Sequence, residues 1–182
     1  MATRSLPPVR RIVTANDAQG RSYIAADGVA PAMMTMPQRE GYRNNNLWRT
    51  VGSPAPVDAP DTSTEHRGVL PPQGGTVLRV IDIPPEDKDP ELRKRATEAV
   101  FAAMFADAKH NPSSGRHPGM HVTDTIDYAI LLQGELVAIM DEGETVMRAG
   151  DILIQRGTNH AWANRSGEIA RIAFILVDGK RG

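Results

Sequence analysis

His121, Asp127 and His160 are the residues of this chain whose types and spacing could do chemistry. Two imidazoles and a carboxylate with open positions opposite suit iron and other divalent first-row metals, which would polarise a bound oxygen or admit dioxygen. Without a metal the same trio is an acid–base set, because imidazole titrates near neutrality and a carboxylate can fix its orientation. A third reading is a satisfied polar network lining a pocket that recognises a metabolite and leaves it unchanged.

Parity decides whether these residues meet. Alternate side chains of an extended segment share a face, so His121, Thr123, Thr125 and Asp127 form one row and His160, Trp162 and Asn164 a second. Thr123, Thr125 and Trp162 are therefore expected to line the substrate pocket, with the indole as a wall. His117, four residues before His121 and followed by Pro118-Gly119, is a further candidate for the pocket and a possible substitute ligand. Tyr128 has the opposite parity to Asp127 and is expected outside. Asn164 suits a turn.

The elements that must position these residues are mostly strands. Arg10 to Asn16 and Arg21 to Ala26 flank Asp17-Ala18-Gln19-Gly20 and predict an opening hairpin. From Asp27 to about Gly75 repeated prolines predict loop, with one strand over 46–51. Met33, Met34 and Met36 within it read as a lid or an interface contact. Thr76 to Ile83 is β-branched and ends at Pro84-Pro85, a strand. Asp89 as N-cap and Pro90 in the first turn open a helix expected to run to about Lys109, its apolar face carrying Leu92, Ala96, Ala99, Val100, Ala103 and Met104. Short strands follow over 126–132, 135–140, 145–148, 152–155, 160–164 and 169–177, separated by glycine-bearing turns, the pattern of a sandwich or barrel.

Composition bounds the partners. Its 182 residues make one ordinary domain, and 21 basic against 22 acidic residues leave no electrostatic footprint for nucleic acid or an anionic membrane. Cysteine is absent, which removes thiolate nucleophiles and cysteine-based zinc sites and is compatible with a reducing compartment. No apolar run is long enough for a signal peptide or a membrane span, so a soluble, cytoplasmic protein is expected.

Two segments, Gly115 to Gly134 and Gly150 to Asn164, resemble the paired motifs of the cupin superfamily, G(X)5HXH(X)3-4E(X)6G and G(X)5PXG(X)2H(X)3N. Gly115, His121, Asp127 and Gly134 keep the first spacing; Gly157, His160 and Asn164 keep the end of the second. Thr123 stands where the family has its second histidine, Asp127 where it has glutamate, and Gln155 where it has proline. The resemblance implies an all-β fold, a double-stranded β-helix or jelly roll over 76–182 with one inserted helix at about 89–109, and an N-terminal extension over 1–75 packed on the barrel or on a partner. It also implies a divalent metal (Fe, Mn, Ni or Zn) held by His121, Asp127 and His160, lyase or isomerase chemistry ahead of oxygenase chemistry on a small organic substrate, and a homodimer. The threonine and the shorter carboxylate keep the metal-free enzyme and the metabolite-binding module open beside it.

Overall fold

The computed structural model describes residues 5–112 and 115–182. Its elements in chain order are β1 (Arg10–Asn16), β2 (Ser22–Val29), β3 (Ala32–Thr35), β4 (Arg43–Thr50), β5 (Thr76–Ile83), α1 (Pro90–Met104), β6 (Lys109–His110), β7 (His121–Val122), β8 (Thr125–Gln133), β9 (Glu135–Met140), β10 (Glu144–Arg148), β11 (Ile152–Arg156), β12 (His160–Ala163) and β13 (Ala170–Asp178). The last eight strands form two sheets together with β3, β4 and β5: a larger one ordered β11-β8-β13-β5-β4-β3 and a smaller one ordered β10-β9-β12-β7-β6. Side chains of both sheets, among them Val77, Ile81, Leu131, Leu136, Ala138 and Ile172, share one buried cluster, so the sheets enclose a core as a jelly roll does. The fold class is the all-β double-stranded β-helix expected from the sequence.

Alternation builds this interior. On β5, Val77, Arg79, Ile81 and Ile83 are buried in period two and point between the sheets, and on β8 Thr125, Asp127, Ala129 and Leu131 do the same. The smaller sheet is buried on both faces at β9, because Met120 covers Val137 and Ile139 from behind.

Three sequence expectations are corrected. The stretch predicted as loop with a strand over 46–51 contains β3 and a longer β4, which pairs with β5 from Arg43↔Asp82 to Thr50↔Thr76. The helix stops at Met104 instead of about Lys109: Phe105 caps it, and the Asp107 carboxylate turns away to accept the backbone N–H of Val69 and Leu70 at 2.8 and 2.9 Å. Its buried residues are Thr97, Val100 and Met104, while Leu92 and Ala103 stay exposed, so the packed face lies further round than the apolar pattern suggests. Its start is as expected, with the Asp89 carboxylate accepting from the N–H of Glu91 and Leu92. Met36 is buried in the main cluster with Met34 packed against it, a core contribution in place of a lid; Met33 is exposed.

Candidate active site

The two imidazoles meet because β7 and β12 are antiparallel neighbours with His160 directly opposite His121. Directly paired residues share a face, and the ring centroids lie 4.3 Å apart, tilted by 45°. Phe101 of α1 packs edge-on to His121 at 5.0 Å, and Trp162 packs edge-on to His160 at 5.8 Å, so the pair is walled by aromatic carbon. Burial pushes the His121 imidazole down to about 4; it pushes His160 to about 3, with the neighbouring His121 adding to the effect. Both rings are neutral at pH 7.

Their outer nitrogens are tethered. His121 Nδ1 donates to the Gly119 carbonyl at 2.9 Å, which leaves Nε2 with its lone pair. His160 Nδ1 lies 3.0 Å from the Thr158 carbonyl and 2.8 Å from Gln155 Nε2, one an acceptor and the other a donor. Gln155 is itself locked, its Nε2 donating to Thr158 O and its Oε1 accepting from Thr158 N–H. His160 can therefore present either a lone pair or an N–H at Nε2, according to which neighbour it bonds.

A cavity of about 100 Å³ separates this pair from the larger sheet. Facing it across the gap are Asp127 on β8, Arg79 on β5 and Phe174 on β13; α1 closes one side with Val100, Phe101 and Phe105, and Arg39 and Tyr42 lie before β4. Burial raises the Asp127 carboxyl to about 6, against the lowering influence of the Thr125 hydroxyl and the Arg79 charge. Its Oδ1 has no hydrogen-bond partner. A raised carboxylate with an open valence in a chamber that apolar side chains wall over much of its surface is the kind of group that catalytic sites hold.

His121, Thr123, Asp127, His160, Trp162 and His117 all line this cavity. Thr125 is buried but lies behind the wall, where its hydroxyl donates to Thr123 Oγ1 at 2.8 Å. His117 has both nitrogens engaged, Nδ1 accepting from Gly119 N–H at 3.0 Å and Nε2 donating to Glu86 at 2.7 Å, and so offers no lone pair to a ligand. Gly119 suits this arrangement, since a Cβ there would sit 3.1 Å from His117 Nδ1 and push the ring by a few tenths of an ångström. Tyr128 lies outside, and Asn164 ties the loop after β12 to Ile83 O and Glu168 O, both as expected.

The expected metal fits this donor set poorly. The imidazoles adjoin on one sheet, Asp127 stands on the other, and threonine occupies the position of the second motif histidine. Among the described residues no group of three His, Cys, Asp or Glu side chains is placed to hold a metal ion. The residues that sequence reasoning missed are Arg79, Gln155, Tyr42 and Phe101. Arg79 left one legible sign, a charge on the apolar row of an otherwise hydrophobic strand.

No protein-family model matches the chain. A phomopsin biosynthesis cluster protein of Diaporthe leptostromiformis is 32% identical over 109 residues, 59% of this chain and 42% of that protein. A cupin-domain-containing oxidoreductase of Aspergillus ruber is 24% identical over 180 residues, 95% of this chain and 74% of that protein. Among solved structures a Cupin 2 conserved barrel domain protein of Salinispora arenicola is similar at a TM-score of 0.42 and 14% identity, over 79% of this chain and 82% of that one. The matched region thus spans about two fifths of the phomopsin-cluster relative. With the jelly roll and both motifs in place, the chain is similar to relatives named as cupin-domain-containing oxidoreductases. Among the described residues no helix is long and apolar enough to cross a membrane.

Proposed function

We propose that this cavity is the active site of a small-molecule enzyme that works by proton transfer, with Asp127, His121 and His160 as its reacting groups. The observation that carries the reading is the facing arrangement: two tethered imidazoles 4.3 Å apart on one sheet, and an unpartnered carboxylate oxygen on the other. Asp127, titrating near neutrality, takes a proton from a carbon next to a carbonyl. His160, with Nδ1 held by Gln155, donates Nε2–H to that oxygen as it gains charge, and the lone pair on His121 Nε2 receives a substrate hydroxyl. Returning the proton to a neighbouring atom completes an isomerisation, and loss of a leaving group completes an elimination. Neither requires an oxidant.

The test is untargeted: purified protein is incubated with small-metabolite extracts after exhaustive dialysis against chelator, and the mixture is followed by mass spectrometry. Turnover is expected to persist in chelator and to fall at least about 100-fold in His160→Ala and in Asp127→Asn, the usual size of an acid–base contribution. Turnover abolished by chelator and restored by one divalent metal would overturn it in favour of the metal-assisted reading. The names of the relatives support a second reading, oxidation of the bound substrate; dioxygen uptake matching substrate loss would select it. We propose further that the protein acts as a homodimer.

A further inference from the structure

Arg79 is 1% exposed, the largest fully buried side chain among the described residues, and it faces the cavity from the middle of the larger sheet. Its Nη2 lies 3.0 Å from His66 Nε2, 3.2 Å from Gly68 O and 3.1 Å from Val69 O. All three are uncharged acceptors, since burial and the nearby Arg79 and Arg49 hold His66 neutral at about 4. Nε and Nη1 have no partner. Among the described residues Arg79 takes part in no ion pair.

The rest of the fold does not treat its sheet arginines this way. Arg43 and Arg171 flank β5 on β4 and β13, and both bond the buried Asp82 carboxylate. A guanidinium taken from water without a counter-charge is costly, and burying it with free N–H groups adds to that cost. Arg79 is stacked on the Phe105 ring at 5.6 Å, which holds its plane but supplies no negative charge.

The charge of the whole chamber tells the same story. Two guanidiniums, Arg39 and Arg79, line it against one carboxylate, Asp127, and the paired imidazoles of His121 and His160 are neutral. Even with Asp127 ionised the lining itself carries one positive charge in excess; Asp107 acts on Arg79 and Glu86 on Arg39 from behind the wall, and neither carboxylate lines the chamber. The stretch of wall formed by Ile81, Phe105, Phe174 and Leu176 is apolar and would disfavour a strongly hydrated dianion. Resting on the small-molecule reading above, we propose that the substrate is a small monocarboxylic acid whose carboxylate docks on the free Nε and Nη1 of Arg79, which presents the adjoining carbon to Asp127 and the histidine pair.

Binding separates this from turnover. Benzoate, its neutral counterpart benzamide and inorganic phosphate are titrated into wild-type protein, following Trp162 fluorescence and ligand-observed NMR. Benzoate is expected to bind at least about tenfold more tightly than benzamide, and Arg79→Gln to erase that difference while leaving benzamide affinity unchanged. Arg39→Gln, at a partly buried position of the lining, serves where Arg79→Gln does not fold and is expected to weaken benzoate a few-fold. His160→Ala is expected to keep the benzoate preference, so turnover that survives in this variant with binding retained overturns only the proton-transfer reading. Equal binding of benzoate and benzamide, no binding of either, or phosphate bound more tightly than benzoate would overturn the assignment to Arg79.

Discussion

At the scale of single residues the site is held in protonation states that oppose one another. His66, His121 and His160 have folded values near 4, 4 and 3, below the value of about 6.5 in an unfolded chain. Groups depressed on folding lend stability that is present above the unfolded value and lost as pH falls toward the folded one. Asp127, raised to about 6, acts in the other direction: its contribution is present below about 4 and lost as pH rises through 6. Near pH 5 the three imidazoles outweigh the one carboxylate by roughly two protons, so stability is expected to fall on the order of 2–3 kcal/mol per unit of acidification. Urea unfolding at pH 7, 6 and 5 measures this slope, and a flat profile would contradict it. Asp127→Asn is expected to unfold at higher urea than wild type at pH 7, by on the order of 1–3 kcal/mol, with the advantage gone by about pH 4. Such a gain with loss of activity is the mark of a carboxylate kept for chemistry. His121 and His160 were legible in the sequence because strand parity and motif spacing fix their faces. Arg79 and Gln155 were not, because a buried guanidinium and a histidine tether acquire their meaning only from neighbouring strands.

At the scale of elements, the outer face of the larger sheet is clamped by Asp82. This fully buried carboxylate accepts from Arg43 Nε at 2.9 Å and from Arg171 Nε and Nη2 at 2.6 and 3.0 Å, tying β4, β5 and β13 side by side. The same arginines reach on to the chain before β1: Arg171 Nη2 donates to Pro7 O at 2.6 Å, and Arg43 Nη2 to Leu6 O. Removing one member of a buried charge network strands the others, so Asp82→Ala is expected to cost about 3–5 kcal/mol and to free the segment before Arg10. Chemical denaturation reads the first effect; hydrogen exchange at residues 8–12 reads the second. A loss below about 1 kcal/mol would show the clamp to be dispensable. This clamp explains what the sequence hid. β4 carries Asn44-Asn45-Asn46, residues poor in strand propensity, and its pairing comes from β5 and from Arg43, a long-range gain that no local pattern displays. The six strands from β8 to β13 were legible within about two residues because turn glycines bound them.

At the scale of the molecule, the larger sheet leaves an apolar face in water. Tyr128 of β8 and Ile154 of β11 are register partners, and with Ile126, Leu132 and Ile152 each is between 42% and 62% exposed. β11 is also the edge strand of its sheet, with unpaired backbone groups along one side. A monomer rarely keeps so many large apolar side chains together in solvent. The β1–β2 hairpin, a sheet of its own, exposes Ile12, Tyr23, Ile24 and Val29 in the same way. The chain carries almost no net charge, so two copies meet without strong repulsion. A two-fold pair that buries the β8–β11 face on its own counterpart removes these side chains from water and covers both edges at once. Light scattering at micromolar concentration is therefore expected to give twice the chain mass. Ile154→Lys, which lies on the exposed face and away from the cavity, is expected to give a folded monomer with an unchanged far-ultraviolet spectrum. A wild-type monomer would remove the dimer altogether, and a dimer that survives Ile154→Lys but not Ile24→Asp would move the interface to the hairpin.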